Sequence, residues 1–239
     1  MNKPAARISA LSLSLMLLAG CATTSLTSAP ESPAQSQALA LIEQGKPRDA
    51  ALQLEAQAAT LRGGARSNTL ADAAWAWHLA GDSARARSLL GQLTARQLSG
   101  ASLQRFQLTS AELALADKQP AQVLVLLKDA GDNVHPSLRT RWHLARAEAL
   151  QASGDSFAAA AERARAHAGL AGSARSENQA AISGLLGTLD DATLRTRAAA
   201  LPANDPLYNF AGRALIARGL PLPRPFDREA ASQFDTSKR

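Results

Sequence analysis

The sequence predicts an all-α fold built as a row of helical hairpins and closed by C-terminal capping helices. Three observations carry this. Apolar residues make up 46% of the chain but aromatics only 4%, so alanine and leucine, both good helix formers, supply the core, while Val and Ile are scarce. Alanines recur at Ala38, Ala74, Ala111 and Ala147, at intervals of 36, 37 and 36 residues. Seven residues after each stands a turn position, Gly45, Gly81, Lys118 and Gly154, and five further on a second small-residue column, Ala50, Ala86, Val123 and Ala159. A Leu column follows at Leu54, Leu90 and Leu127, with Arg163 in the fourth unit.

The chain opens with Lys3 and Arg7 and an apolar run from Ile8 to Ala19, followed by Leu18-Ala19-Gly20-Cys21. That run is shorter than the roughly 20 residues a membrane-spanning helix needs. The arrangement resembles a bacterial lipoprotein signal, with Leu18, Ala19, Gly20 and Cys21 as its lipobox. Residues 1–20 are then a signal peptide, and Cys21, the sole cysteine, is the lipid-attachment residue. More than one acyl chain is needed for stable anchoring. Ala22 rather than Asp at the following position implies, by the sorting of similar lipoproteins, the periplasmic face of the outer membrane. Residues 21–34 are rich in Ser, Thr, Pro and Ala and read as a flexible tether.

Residues 35–219 hold the hairpins. A small residue inside the first helix lets its partner approach closely. Gly past the helix end accepts a left-handed backbone, and Leu one turn into the second helix fills the groove. The pattern resembles the tetratricopeptide repeat, whose period is about 34 residues, and implies a solenoid. Lys118 and Arg163 depart from it, so the third and fourth units are the more divergent. Ser176 to Thr188 reads as a further helix with Ile182, Leu185, Leu186 and Leu189 on its apolar side. Asp190-Asp191 starts another, carboxylates suiting a helix N-terminus. Asp205-Pro206 starts a third, with Pro at the first helical position. These cap the array, and residues 220–239, opening Leu220-Pro221-Leu222-Pro223-Arg224-Pro225, read as a Pro-containing linker or disordered tail.

The formal charge is +6, falling to +4 once Lys3 and Arg7 leave with the signal. Nucleic acid is not the expected partner, because export separates the protein from it and the arginines are interspersed with Glu and Asp. His78, His135, His143 and His167 stand without metal-ligand spacing, so no metal and no cofactor beyond lipid on Cys21 is expected. Gly63-Gly64 is too short for a phosphate loop. Glu148 and Glu162 lie among Arg146, Arg163 and Arg165, which favours ion pairing over acid–base work. No catalytic residue emerges, and the chain reads as a non-enzyme without a small-molecule substrate.

What remains is a binding surface. In a hairpin solenoid one face of each first helix lines the concave groove. The register places Trp75 and His78 there from the second unit, Arg105, Leu108 and Glu112 from the third, and Arg141, Leu144 and Glu148 from the fourth. Trp and Arg are frequent interface anchors. Trp77, at a packing position, reads as core; for Trp75 core and groove stand equal.

The stretches Ala71–Leu93, Ser110–Leu127 with Ala111-Glu112-Leu113-Ala114-Leu115, Arg146–Arg163 with Gly154-Asp155, and Glu177-Asn178-Gln179 followed by Ile182 and Leu185-Leu186, taken with the lipobox and tether, resemble the N-terminal domain of penicillin-binding protein activators of the LpoA type. The similarity covers about residues 36 to 218. It implies an outer-membrane lipoprotein that stimulates a class A penicillin-binding protein, a peptidoglycan synthase, by contact. The family's second domain, similar to type I periplasmic binding proteins, finds no counterpart here, so the resemblance implies a truncated or split form or a variant keeping only the helical part. A repeat lipoprotein serving as an adaptor in envelope assembly is the alternative expectation.

Overall fold

A computed structural model describes residues 32–128, 133–202 and 204–224. The lipobox, Cys21, most of the predicted tether and residues 225–239 lie outside the described residues. The described chain is all-helical, with eleven α-helices, one 3₁₀ turn and no strand. None of these helices is long and apolar enough to cross a membrane.

Four helical hairpins follow one another. They are α1 (Pro33–Glu43) with α2 (Pro47–Thr60), α3 (Gly63–Leu79) with α4 (Ser83–Leu90), α5 (Gly100–Ala116) with α6 (Pro120–Leu126), and α7 (Pro136–Ala152) with α8 (Ser156–His167). Within each hairpin the two helices pack together, and each second helix packs on the next first helix. First helices also touch in series, α1 on α3, α3 on α5 and α5 on α7. The reason is visible in the small columns. Ala38, Ala74, Ala111 and Ala147 are all fully buried, as are Ala50, Ala86, Val123 and Ala159. Small side chains at these crossings let the backbones approach, and apolar neighbours fill the rest.

The hairpin turns share one geometry. Gly45, Gly81 and Gly154 have φ of +74°, +83° and +86°, and Lys118 adopts the same left-handed region at +59°. At each turn two backbone amides return to the helix in a Schellman pattern, as when Gly81 N donates to His78 O and Asp82 N to Trp77 O. Lys118 therefore departs from the repeat in sequence but not in conformation, holding a backbone state that disfavours a Cβ. The second helices start in two ways. Asp82 and Asp155 cap α4 and α8 by accepting from Arg85 N and Ala158 N, whereas α2 and α6 begin with Pro47 and Pro120.

The Leu column is less regular. Leu54 and Leu127 are fully buried, while in the second unit Leu89 is the deeply buried residue and Leu90 lies half-buried. Arg163, in the fourth unit, is also half-buried; its Nη1 donates to Asn178 Oδ1 at 3.3 Å, and Asn178 Nδ2 donates back to the Arg163 carbonyl at 3.0 Å.

The C-terminal cap comprises α9 (Gly172–Gly187), α10 (Asp191–Ala200) and α11 (Tyr208–Ala217). Helix α9 packs on α8, and α11 packs on both α9 and α10. Helix α9 starts four residues before the expected Ser176, from a left-handed Gly172. Helix α11 starts after Pro206, because Asp205 Oδ1 accepts from Leu207 N in a turn that precedes it. The following residues 220–224 lie against this cap. Leu220 and Leu222 pack on the terminal core, Tyr208 Oη donates to the Arg224 carbonyl at 2.6 Å, and the Arg224 guanidinium sits 4.7 Å from the Tyr208 ring centre.

Candidate functional site

The groove face is assembled from α1, α3, α5 and α7. Its foundation is a buried polar hub around Asp72 of α3. Gln35 Nε2, Ser102 Oγ and Arg105 Nη1 all donate to the Asp72 carboxylate, the last at 3.1 Å. Burial pushes the Asp72 carboxyl up, and Arg105, Gln35 and Ser102 pull the other way. The hub ties three successive first helices together. Arg105 is therefore a buried ion-pair partner rather than an exposed anchor, and Leu108 is fully buried core.

Above this hub the remaining predicted residues converge. Glu112 of α5 is gripped from both neighbours. His78 Nε2 of α3 lies 2.7 Å from its Oε2, and Arg141 of α7 donates from Nε and Nη2 to its two oxygens at 2.9 and 2.8 Å. Burial pushes the Glu112 carboxyl up, but the bonds from His78 and Arg141 outweigh it and hold the group below the usual carboxylate range. The Arg141 guanidinium also lies over Trp75, 5.0 Å from the ring centre, a cation–π arrangement. Trp75 is 5% exposed and packs in the core formed with Leu108, Val123 and Trp142, while also lining the groove face. Trp77 belongs to the core around α1–α4, its indole N–H donating to Glu55.

Two open pockets flank Arg141. The larger, about 750 Å³, is lined by Leu39, Ile42, Trp75, Leu79 and Leu138, with Arg105 and His135 among its polar groups. The smaller, about 500 Å³, is lined by His78, Glu112, Leu144 and Glu148, among others. Trp75, His78, Glu112, Arg141 and Glu148 thus share one face, as the register required, and Arg105 reaches it from beneath. Sequence reasoning missed Asp72, whose signal was a lone carboxylate inside the run Leu70 to Ala76. It also missed Leu39, Ile42 and His135, because the repeat register does not tell that α1 and the start of α7 line one pocket.

A second carboxylate is handled differently. His143 Nδ1 lies 2.7 Å from Glu162 Oε2, and Arg146 and Arg165 each lie 3.2 Å from Oε1. Burial pushes Glu162 up, but His143, Arg146 and Arg165 hold it below the usual range. Arg163 is not part of this set, and Glu148 lies on the other side of α7 facing the groove. Among the described residues no three potential metal ligands come together. Such a face offers an apolar floor, one stacked arginine and groups of both charges. Comparison with family models, with curated proteins and with solved structures found no match for the chain.

Proposed function

We propose that the protein is a lipid-anchored periplasmic lipoprotein whose helical hairpins form a short solenoid, and that it regulates peptidoglycan synthesis by contact with a class A penicillin-binding protein. The observation that supports this most is the face spanning α1, α3, α5 and α7, with Arg141 stacked on Trp75 between two open pockets. Stacked Arg and Trp are the side chains most often found at energetic centres of protein interfaces. The lipobox ending at Cys21 supports placement on a membrane, and the resemblance of residues 36 to 218 to the activators supports the choice of partner.

The test combines purified class A synthases with residues 22–239, which omit the lipid-bearing Cys21, following binding together with glycan polymerisation and crosslinking rates. Binding with faster synthesis is expected. Absence of binding at micromolar concentration overturns the choice of partner. The anchor is tested separately, since Cys21→Ala is expected to leave an uncleaved precursor or a soluble protein. A processed chain still held on the membrane refutes lipid attachment at Cys21.

A further inference from the structure

The first helices run in one direction, so their N-termini and the links before them form one edge of the array, and the hairpin turns form the other. Hydrogen bonds tie the first two links to this edge. Gln57, near the end of α2, donates to the Ala34 carbonyl at 3.0 Å, beside the start of α1. Asn68 of α3 exchanges two bonds with Ser99, just before α5, at 3.1 and 3.2 Å. The 3₁₀ turn Ala95–Gln97 packs against α3, close to Gly64. Arg62, Arg66 and Arg96 therefore stand on one patch of this edge, and all three are exposed. None of their guanidinium groups has an ion-pair or hydrogen-bond partner among the described residues. Residues 56–71 and 88–111 contain no Asp or Glu, and the neighbouring Asp72 is buried against Arg105. Glu31 precedes α1 and lies outside the described residues; with it counted, three cations meet one carboxylate. Neither α3 nor α5 has a side-chain cap, so the positive ends of two helices add to the same potential. The hairpin-turn edge is mixed instead, with Asp82, Asp117 and Asp155 among Lys46 and Lys118.

The arginine edge is also where the chain enters the fold, since Ser32 caps α1 there. Resting on the reading of the chain as lipid-anchored at Cys21, we propose that Arg62, Arg66 and Arg96 form a docking edge for an anionic phospholipid surface. The stretch from Cys21 to Glu31 spans at most about 40 Å, which keeps this edge, and no other polyanion, close to the membrane. Guanidinium groups bind phosphate oxygens through paired hydrogen bonds, and these three have no protein acceptor to give up. Each basic residue near an anionic bilayer strengthens binding roughly fivefold. With this edge on the lipid, the first helices stand upright and the hairpin turns point away. The face carrying Trp75 and Arg141 is then turned along the membrane rather than into it.

The test measures co-sedimentation of residues 22–239 with vesicles of phosphatidylglycerol and phosphatidylcholine in equal parts, and with phosphatidylcholine alone, at low ionic strength. This chain carries no acyl group, so its binding does not depend on the anchor. Preference for the anionic vesicles is expected, shrinking as salt is added. Arg62→Gln, Arg66→Gln and Arg96→Gln together should weaken that binding roughly a hundredfold. Lys46→Gln, Arg48→Gln and Lys118→Gln together remove the same charge from the hairpin-turn edge and should weaken it far less. Circular dichroism checks that both variants are folded. Equal binding to the two kinds of vesicle, or equal losses in the two variants, overturns the proposal. So does a selective loss that appears with duplex DNA but not with vesicles. A processed Cys21→Ala chain still held on the membrane refutes only the anchor, whereas an intact anchor without vesicle preference refutes only this inference.

Discussion

The two histidine–glutamate–arginine clusters use the same residue types for different ends. His78, Glu112 and Arg141 come from three different hairpins, and Arg141 stands half in water. His143, Arg146, Glu162 and Arg165 come from the two helices of one hairpin, and both His143 and Glu162 side chains are 9% exposed. Both carboxylates are held below their usual range against the penalty of burial. The inner cluster fixes the angle between α7 and α8. The groove cluster links neighbouring hairpins while leaving Arg141 half open to water. Exposure, more than composition, separates the two ion clusters.

The largest test of this contrast removes each carboxylate in turn. Glu162→Ala leaves the buried His143 imidazole and the largely buried Arg146 guanidinium without their carboxylate, while Arg165 keeps Asp205, and should cost about 3–5 kcal/mol in urea unfolding. Glu112→Ala leaves an arginine that water can solvate and should cost about 1–2 kcal/mol. Equal losses would mean that burial does not distinguish the clusters.

Acid sharpens the comparison further. Because Glu112 and Glu162 have lowered folded values, the stability they contribute is present above the ordinary carboxylate range and is lost as pH falls through those lowered values. His167, at the junction of α8 with the cap, is also lowered, first by burial and then by Arg175. Its contribution is complete above the ordinary histidine value and is lost as pH falls from there towards the lowered one. The protection of amides in α8, α9 and α11, corrected for the intrinsic pH dependence of exchange, should therefore fall on mild acidification before that of α1–α6 does. Simultaneous loosening of both ends would contradict this order.

The smallest effect concerns the third turn. Lys118→Gly relieves a left-handed backbone and should raise stability by about 1 kcal/mol, while Gly81→Lys should lower it by a similar amount. Thermal unfolding of the two variants measures both.

Much of the hairpin plan was legible because it rests on local needs. The alanine columns mark places where helix backbones approach, and the turn glycines mark a left-handed φ, so both leave a residue-type signature at a fixed interval. Lys118 shows the limit of that reading, since the geometry survives a residue that pays for it in conformational energy. The groove was legible only as a face. Register placed Glu112, Arg141 and His78 together, but it could not tell that Arg105 turns inward to Asp72, because that depends on a partner 33 residues away. Nor could it bring α1 to the start of α7, which depends on how non-adjacent hairpins stack.

The two ways of starting a second helix alternate, and this has a mechanical consequence. Pro47 and Pro120 are 73 residues apart, and so are Asp82 and Asp155, so the array reads as two four-helix blocks, α1–α4 and α5–α8. Helix α4 touches α5 only slightly compared with the other second-to-first-helix contacts. There the seam holds an exposed Arg87–Asp117 pair at 2.8 Å, a kind of contact that contributes at most about 1 kcal/mol. On the groove side the buried Asp72–Arg105 pair spans the same seam. If the array is loaded across this seam, the thinly packed α4 side is the one to yield first while the buried pair holds the other side, so the seam would act as a hinge between the two blocks.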